Sequence, residues 1–289
     1  MELYLSLSAY GGVTTREALT VFWEAGIRYV ELAIGSIPDT DAVQAIEDFR
    51  QQGMVYRAHH AFVWSARHHP FNLAEPQDWK YFQRLTDWLA SHGITAYSVH
   101  GGDFLTTSDR SSAYAKFLEN VHCLHQLCQE RGIVLGVETM YPTLPTSSKK
   151  YLLDNAEEVA QFCQDAPEIK LVVDLAHLNI WHHRSLQSLE QLLELPSERL
   201  LEIHISDNDG RRDIHSRITP QTWWVSQIAK FPTGVPIVLE SRLNRLPVSV
   251  VQQEYKHIAA LISTQDVAIM SHGKSIGTIL HGKSSTQHK

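Results

Sequence analysis

Cysteine is scarce here: three residues in 289, Cys123, Cys128 and Cys163, all within helix-like segments. Such a set makes no disulfide framework, and the simple expectation is a reduced chain in the cytoplasm. Long apolar runs are missing as well. None approaches the ~20 residues that span a bilayer, and MELYLSLSAYGG has no basic start of the secretory kind and reads directly as a strand. Positive charge is not in excess: the formal charge of −7 argues against broad nucleic-acid binding. No glycine-rich phosphate loop follows the first strand, which counts against a doubly wound nucleotide-binding sheet.

Histidine, by contrast, is plentiful, with 17 residues. Three of them, His272, His281 and His288, fall in a Gly/Ser/Lys-rich end that reads as a poorly structured tail over residues 265–289. Residues 1–264 alternate short apolar strands with helical stretches. Strand-type segments run over ELYLSLS, RYVELA, VYRAHH, TAYSVH, IVLGVE, KLVVD, LLEIHIS and PIVLE. Thr14 and Thr15 offer an N-cap to the first helix, Gly26 stops it, and Asp154 with Glu157 suggests a capping box later on. Eight strands, each followed by a helical stretch, predict an α/β fold of one domain, a single (β/α)8 TIM barrel. An open doubly wound sheet is the alternative.

In a barrel the C-terminal strand ends share one mouth, where active sites sit. Those ends carry His60, His100, Glu138, Asp174, His204 and Glu240, with His177 three residues past Asp174 and Asp213-x-His215 in the loop after His204. Taken singly, a strand-end His is as readily a hydrogen-bonded structural residue, Asp174 a cap, and Asp213 a turn former. A carboxylate closing IVLGV or PIVL, however, must be paired or metal-bound. Jointly the set predicts a metal site. Two glutamates, an aspartate and a histidine form a mixed O/N shell suited to Mn²⁺, Mg²⁺ or Co²⁺, and the further histidines shift the preference toward Zn²⁺.

The pattern resembles the xylose isomerase-like barrel superfamily, which includes sugar-phosphate isomerases and epimerases and the endonuclease IV type of AP endonuclease. Glu138 in GVE, Asp174 in VVDLAH, His204 in IHISDND and Glu240 in VLES match the four metal ligands of the epimerase branch. His60, His100, His177, Asp213 and His215 match the additional ligands of the trinuclear zinc branch, which would extend one ion to two or three. His60 is preferred to His59 because His60-Ala61-Phe62 is similar to the family's His-Ala-Pro-Phe. Two departures stand out. Ser216-Arg217-Ile218-Thr219-Pro220 replaces a Gly-x-Gly turn, and Ala61-Phe62-Val63-Trp64 replaces the Ser-Tyr-Leu-x-Asn of the DNA enzymes.

The resemblance implies a divalent-metal-dependent isomerase or epimerase of a small sugar or sugar phosphate, working through an enediolate. Glu138 and Glu240 would move the proton, and His177, Arg211 and Arg212 would hold substrate oxygens. Phe62, Trp64 and Trp181 would form an apolar wall, and Glu31 would stand behind the ligands. A zinc phosphoesterase of the endonuclease IV type is the alternative. A sugar is the expected partner, rather than nucleic acid or membrane, and Trp223-Trp224 marks a candidate contact face for an oligomer.

Overall fold

The computed structural model describes residues 1–64, 71–181, 192 and 195–273. Eight parallel strands close into a barrel: β1 (Leu3–Ser6), β2 (Tyr29–Leu32), β3 (Val55–His59), β4 (Ala96–His100), β6 (Val134–Glu138), β8 (Lys170–Asp174), β9 (Leu200–Ile205) and β10 (Ile237–Leu239). They follow chain order around the ring, and β10 closes on β1 through Leu3–Ile237 to Leu5–Leu239. Two short strands the segment reading lacks, β5 (Asp103–Leu105) and β7 (Lys149–Tyr151), pair antiparallel as a ribbon over the loops after β4 and β6. At Gly102 φ is +98°, and a Cβ would sit 2.5 Å from Asn72 Oδ1, the same oxygen that accepts the Asp103 amide at 2.9 Å. Only glycine fits that close approach.

The helices α1 (Thr15–Glu24), α2 (Ala42–Gln51), α3 (Trp79–Ser91), α4 (Arg110–Gln129), α5 (Ala156–Asp165), α6 (Leu175–Trp181) and α7 (Val248–Gly273) pack outside the strands. Thr14 caps α1 in a reciprocal box with Glu17, and Ala18, Leu19 and Phe22 form its buried face. The later cap differs from expectation: Asn155 accepts from the Glu158 amide and starts α5. Asp154 instead pairs with Arg110 at 2.7 Å. The last helix runs beyond Ser263 to Gly273, so the first part of the expected tail is helical, and residues 274–289 lie outside the described chain. No described helix is long and apolar enough to cross a membrane. Trp224 is fully buried, donates to the Ser206 carbonyl at 3.0 Å and lies by Phe231. It is core, and this removes it from the expected contact face.

Parallel strands buried on both faces read as apolar runs, and these do, except where they point inward. Steps of two back from the strand ends place Arg57, Ser98, Gly136, Val172 and Glu202 in a layer beneath His59, His100, Glu138, Asp174 and His204. The register agrees, pairing Glu31 with Arg57, His100 with Glu138 and Asp174 with His204. A bulge in the β8–β9 pairing inserts Leu201, which fills the space left by Gly136; a Cβ there would meet Leu201 Cδ2 at 2.6 Å. Above this floor the interior is polar.

Candidate metal centre at the barrel mouth

Three groups of ligand-type atoms lie within 4.8 Å of one another among the described residues: Glu138, Asp174 and His204; His59, His100 and Glu138; and Glu31, His59 and His204. Glu138 belongs to two of them. Its Oε1 is 3.8 Å from His204 Nδ1 and its Oε2 is 3.1 Å from His100 Nε2. Glu240 adds Oε2 at 3.4 Å from His204 Nδ1, while Ser8 donates to its Oε1 at 3.1 Å.

Backbone and neighbours fix which atom of each side chain faces the cluster. His177 Nδ1 is 2.7 Å from the Thr139 carbonyl, which can only accept, so Nδ1 carries the proton and Nε2 faces Asp174 and Asp213, at 3.8 and 3.6 Å. Ser98 Oγ donates to the Ala58 carbonyl and lies 3.0 Å from His59 Nδ1, which leaves His59 Nε2 toward His100 and Glu138 at 3.1 and 3.5 Å. Asp174 Oδ1 accepts the His177 amide at 2.9 Å, so the residue caps α6 and still turns Oδ2 to the cluster. In the loop after β9, Asn208 donates to the Ala176 carbonyl and accepts from Asn179 and the Gly210 amide. Asp207 and Ser216 exchange backbone hydrogen bonds that close the loop, and Arg217 ties it to Glu254 of α7. His215 thus returns to the rim, 3.1 Å from Asp213 Oδ2 and 3.9 Å from Glu240 Oε2. Its φ is +47°.

The electrostatics are those of a site built around positive charge. Burial raises the Asp174 carboxyl to about 6 and Glu31 to about 7. Burial also acts on Glu240 and Glu138, but the facing imidazoles outweigh it, holding Glu240 at about 2 and Glu138 well below the carboxylate range. The surrounding carboxylates likewise outweigh burial at His204 and His177, whose values lie well above that of free imidazole, and at His215, raised to about 9. His59 goes the other way, to about 4, chiefly through burial. Five buried carboxylates, Glu31, Glu138, Asp174, Glu202 and Glu240, share this interior. The guanidinium among them, Arg57, is committed to Glu202. Glu138 Oε2 and His204 Nδ1 are buried, and the groups that face them are one another's ligand-type neighbours: His100 at 3.1 Å from the first and Glu240 at 3.4 Å from the second. Carboxylates and imidazoles this close together at such depth, which hold one another's charge where no ion is present, are a donor set that fits a divalent cation.

The residues singled out from the sequence do not all converge. His100, Glu138, Asp174, His177, His204, Asp213, His215 and Glu240 do. His60 stands in none of the three groups; it lies past the end of β3, with its ring 4.1 Å from Phe71 and 5.1 Å from His100. His59, the last residue of the strand, shares the inward parity of Arg57 and is the one brought to Glu138. The motif comparison pointed to the neighbour, whereas strand alternation would have picked His59. Arg211 and Arg212 are exposed, and Arg212 pairs with Asp209. Phe62 packs by Trp88, Trp64 donates to the Tyr81 hydroxyl, and Trp181 donates to the Met140 carbonyl, so all three are held in packing. The ring that does stand against the cluster is Tyr141, 4.8 Å from His177. Nothing in its surrounding MYPTL marks it in the sequence.

A barrel interior ringed at its C-terminal end by carboxylates and imidazoles defines a candidate metal-site TIM barrel. Residues 22–272 match the profile of the xylose isomerase-like TIM barrel family, and the chain belongs to that family. None of the curated proteins matches it in sequence. Among solved structures it is similar to a D-tagatose 3-epimerase-like protein, with a TM-score of 0.72, 14% identity and coverage of 93% of this chain and 100% of the other. A xylose isomerase domain protein from Alicyclobacillus acidocaldarius gives 0.67 at 16% identity over 92% and 99%. The IOLI protein with a binding zinc atom gives 0.64 at 12% identity over 92% and 99%. At these identities the likeness is one of fold.

Proposed function

We propose that the protein is a divalent-metal-dependent isomerase or epimerase of a small ketose or its phosphate. The observation that carries this reading is the placement of Glu138 and Glu240 on either side of His204 Nδ1, at 3.8 and 3.4 Å, from strands three apart around the ring. Glu138, Asp174, His204 and Glu240 would hold the ion, Mn²⁺ or Zn²⁺. Once bound, it would supply positive charge against the carbonyl and neighbouring hydroxyl of the sugar, lowering the cost of an enediolate. One glutamate removes the proton next to the carbonyl and the other returns it, from opposite sides of the mouth. Ser8, donating to Glu240 Oε1, fixes the rotamer in which Oε2 faces inward. His177 Nε2 and His100 stand at the rim to bind hydroxyls, and Tyr141 offers an apolar face. The structurally similar epimerases named for tagatose and allulose make ketoses the first substrates to try. Three free cysteines suit a reducing compartment such as the cytoplasm.

A second reading has its own support. The His59–His100–Glu138 group beside the first, with His177, Asp213 and His215 at the rim, would suit two or three zinc ions and phosphoester hydrolysis. The test is turnover on a ketose panel with metal-reconstituted protein. Glu138→Gln and Glu240→Gln should each lower the rate by about 100- to 10,000-fold. Full turnover in both variants would sink the epimerase reading, and phosphoester cleavage with no ketose turnover would replace it with the second.

A further inference from the structure

His204 presents its two nitrogens to opposite neighbourhoods. Nδ1 faces Glu138 and Glu240, while Nε2 lies 3.3 Å from Glu202 Oε1 and 3.3 Å from Glu31 Oε2. Two buried carboxylates at one imidazole nitrogen call for positive charge close by. Arg57 supplies a permanent one to Glu202. Its Nε donates to Glu202 Oε2, one Nη donates to the Leu201 carbonyl, and its face lies 5.3 Å from the Tyr4 ring. Held at Oε2, Glu202 can turn only Oε1 to the imidazole. Arg57 and Glu202 are buried in the layer below the proposed ligands, and the reaction above gives them no step.

We infer that the Arg57–Glu202 ion pair is a positioning device for His204. It holds the proton on Nε2 and keeps the Nδ1 lone pair aimed at Glu138, Asp174 and Glu240, and so sets the affinity for the divalent cation. A carboxylate behind a metal-bound imidazole fixes both ring orientation and tautomer, and its loss costs ~10–100-fold in affinity. Here the carboxylate is itself fixed, by a guanidinium from a different strand. The alternative is that Nε2 joins an ion held by Glu31 and His59, a group whose atoms also lie close enough. The two arrangements need opposite protonation of the same ring. The inference rests on the proposal that Glu138, Asp174, His204 and Glu240 hold an ion.

The test titrates Mn²⁺, then Zn²⁺, into metal-stripped full-length protein. Glu202→Gln should raise the dissociation constant by about 10- to 100-fold. Arg57→Met should raise it in the same direction, and Arg57→Lys should recover most of the loss. A merely structural pair would lower the unfolding temperature of the stripped variants and leave the dissociation constant of the folded protein unchanged, which would overturn the inference. Asp174→Asn separates the two levels: if it too binds as wild type, the cluster is not the ion site and the underlying proposal fails. Should Glu202→Gln not fold, the His204 tautomer read by long-range ¹H–¹⁵N correlation in the zinc-loaded wild type decides. Protonated Nε2 is expected, and protonated Nδ1 contradicts the inference.

Discussion

Asp174 meets two demands with two oxygens. One starts α6 by accepting the His177 amide, and the other faces the cluster. The capping role and the ligand role, alternatives when only VVDLAH is in view, are compatible in the folded chain. The same scale shows what the sequence leaves open. Strand ends at Glu138 and Asp174 were legible because apolar runs stop there, whereas the choice between His59 and His60 depends on strand parity and not on the residues that follow. The cysteines give a residue-scale prediction. Cys128 is fully buried, and burial raises its thiol to about 12, while Cys123 is exposed. Since thiolate is the reactive form, iodoacetamide at pH 8 should label Cys123 in the native protein and spare Cys128 until denaturant is added. Equal labelling rates would contradict the burial of Cys128 on α4.

The elements carry the site through their spacing. Parity along each strand delivers the candidate ligands to one layer and the Arg57–Glu202 pair to the layer below, and Leu201, the bulged residue, fills the floor against Gly136 and Val172. Gly136→Ala would press a methyl carbon to 2.6 Å from Leu201 Cδ2. Such overpacking should cost ~1–3 kcal/mol, seen as a lower midpoint in urea unfolding; an unchanged midpoint would mean that Leu201 has room to move. Trp224→Ala should cost more, about 3–5 kcal/mol, because it empties a fully buried volume and frees the Ser206 carbonyl at the end of β9. A twin tryptophan on a polar stretch reads equally as a contact face or as core, and only the tertiary fold separates them. The β5–β7 ribbon was illegible for a similar reason: three residues per strand carry no periodicity, and its register is fixed by Gly102 and Asn72 across the loops.

At the scale of the whole molecule, eight strand-and-helix repeats were readable from length, alternation and punctuation, because each unit obeys local rules. What local rules cannot show is how charge adds up inside. Only the closed ring reveals that carboxylates from β2, β6, β8, β9 and β10 converge on an interior whose guanidinium is already paired. On the proposal that a divalent cation sits among these carboxylates, the cation would contribute to the fold's stability. A ligand at 100 times its dissociation constant adds about 2.7 kcal/mol, so chelator treatment should lower the melting temperature by several degrees and Mn²⁺ or Zn²⁺ should restore it; indifference to both would separate the site from stability. The most direct measurement is the metal content per chain, by elemental mass spectrometry, of tag-free protein never exposed to chelator, with Asp174→Asn alongside. An asparagine keeps the cap and removes the charge. At least one divalent ion per chain in the wild type, lost in the folded variant, is the expected result. A metal-free wild type, or a variant that keeps its full content, would contradict the metal centre.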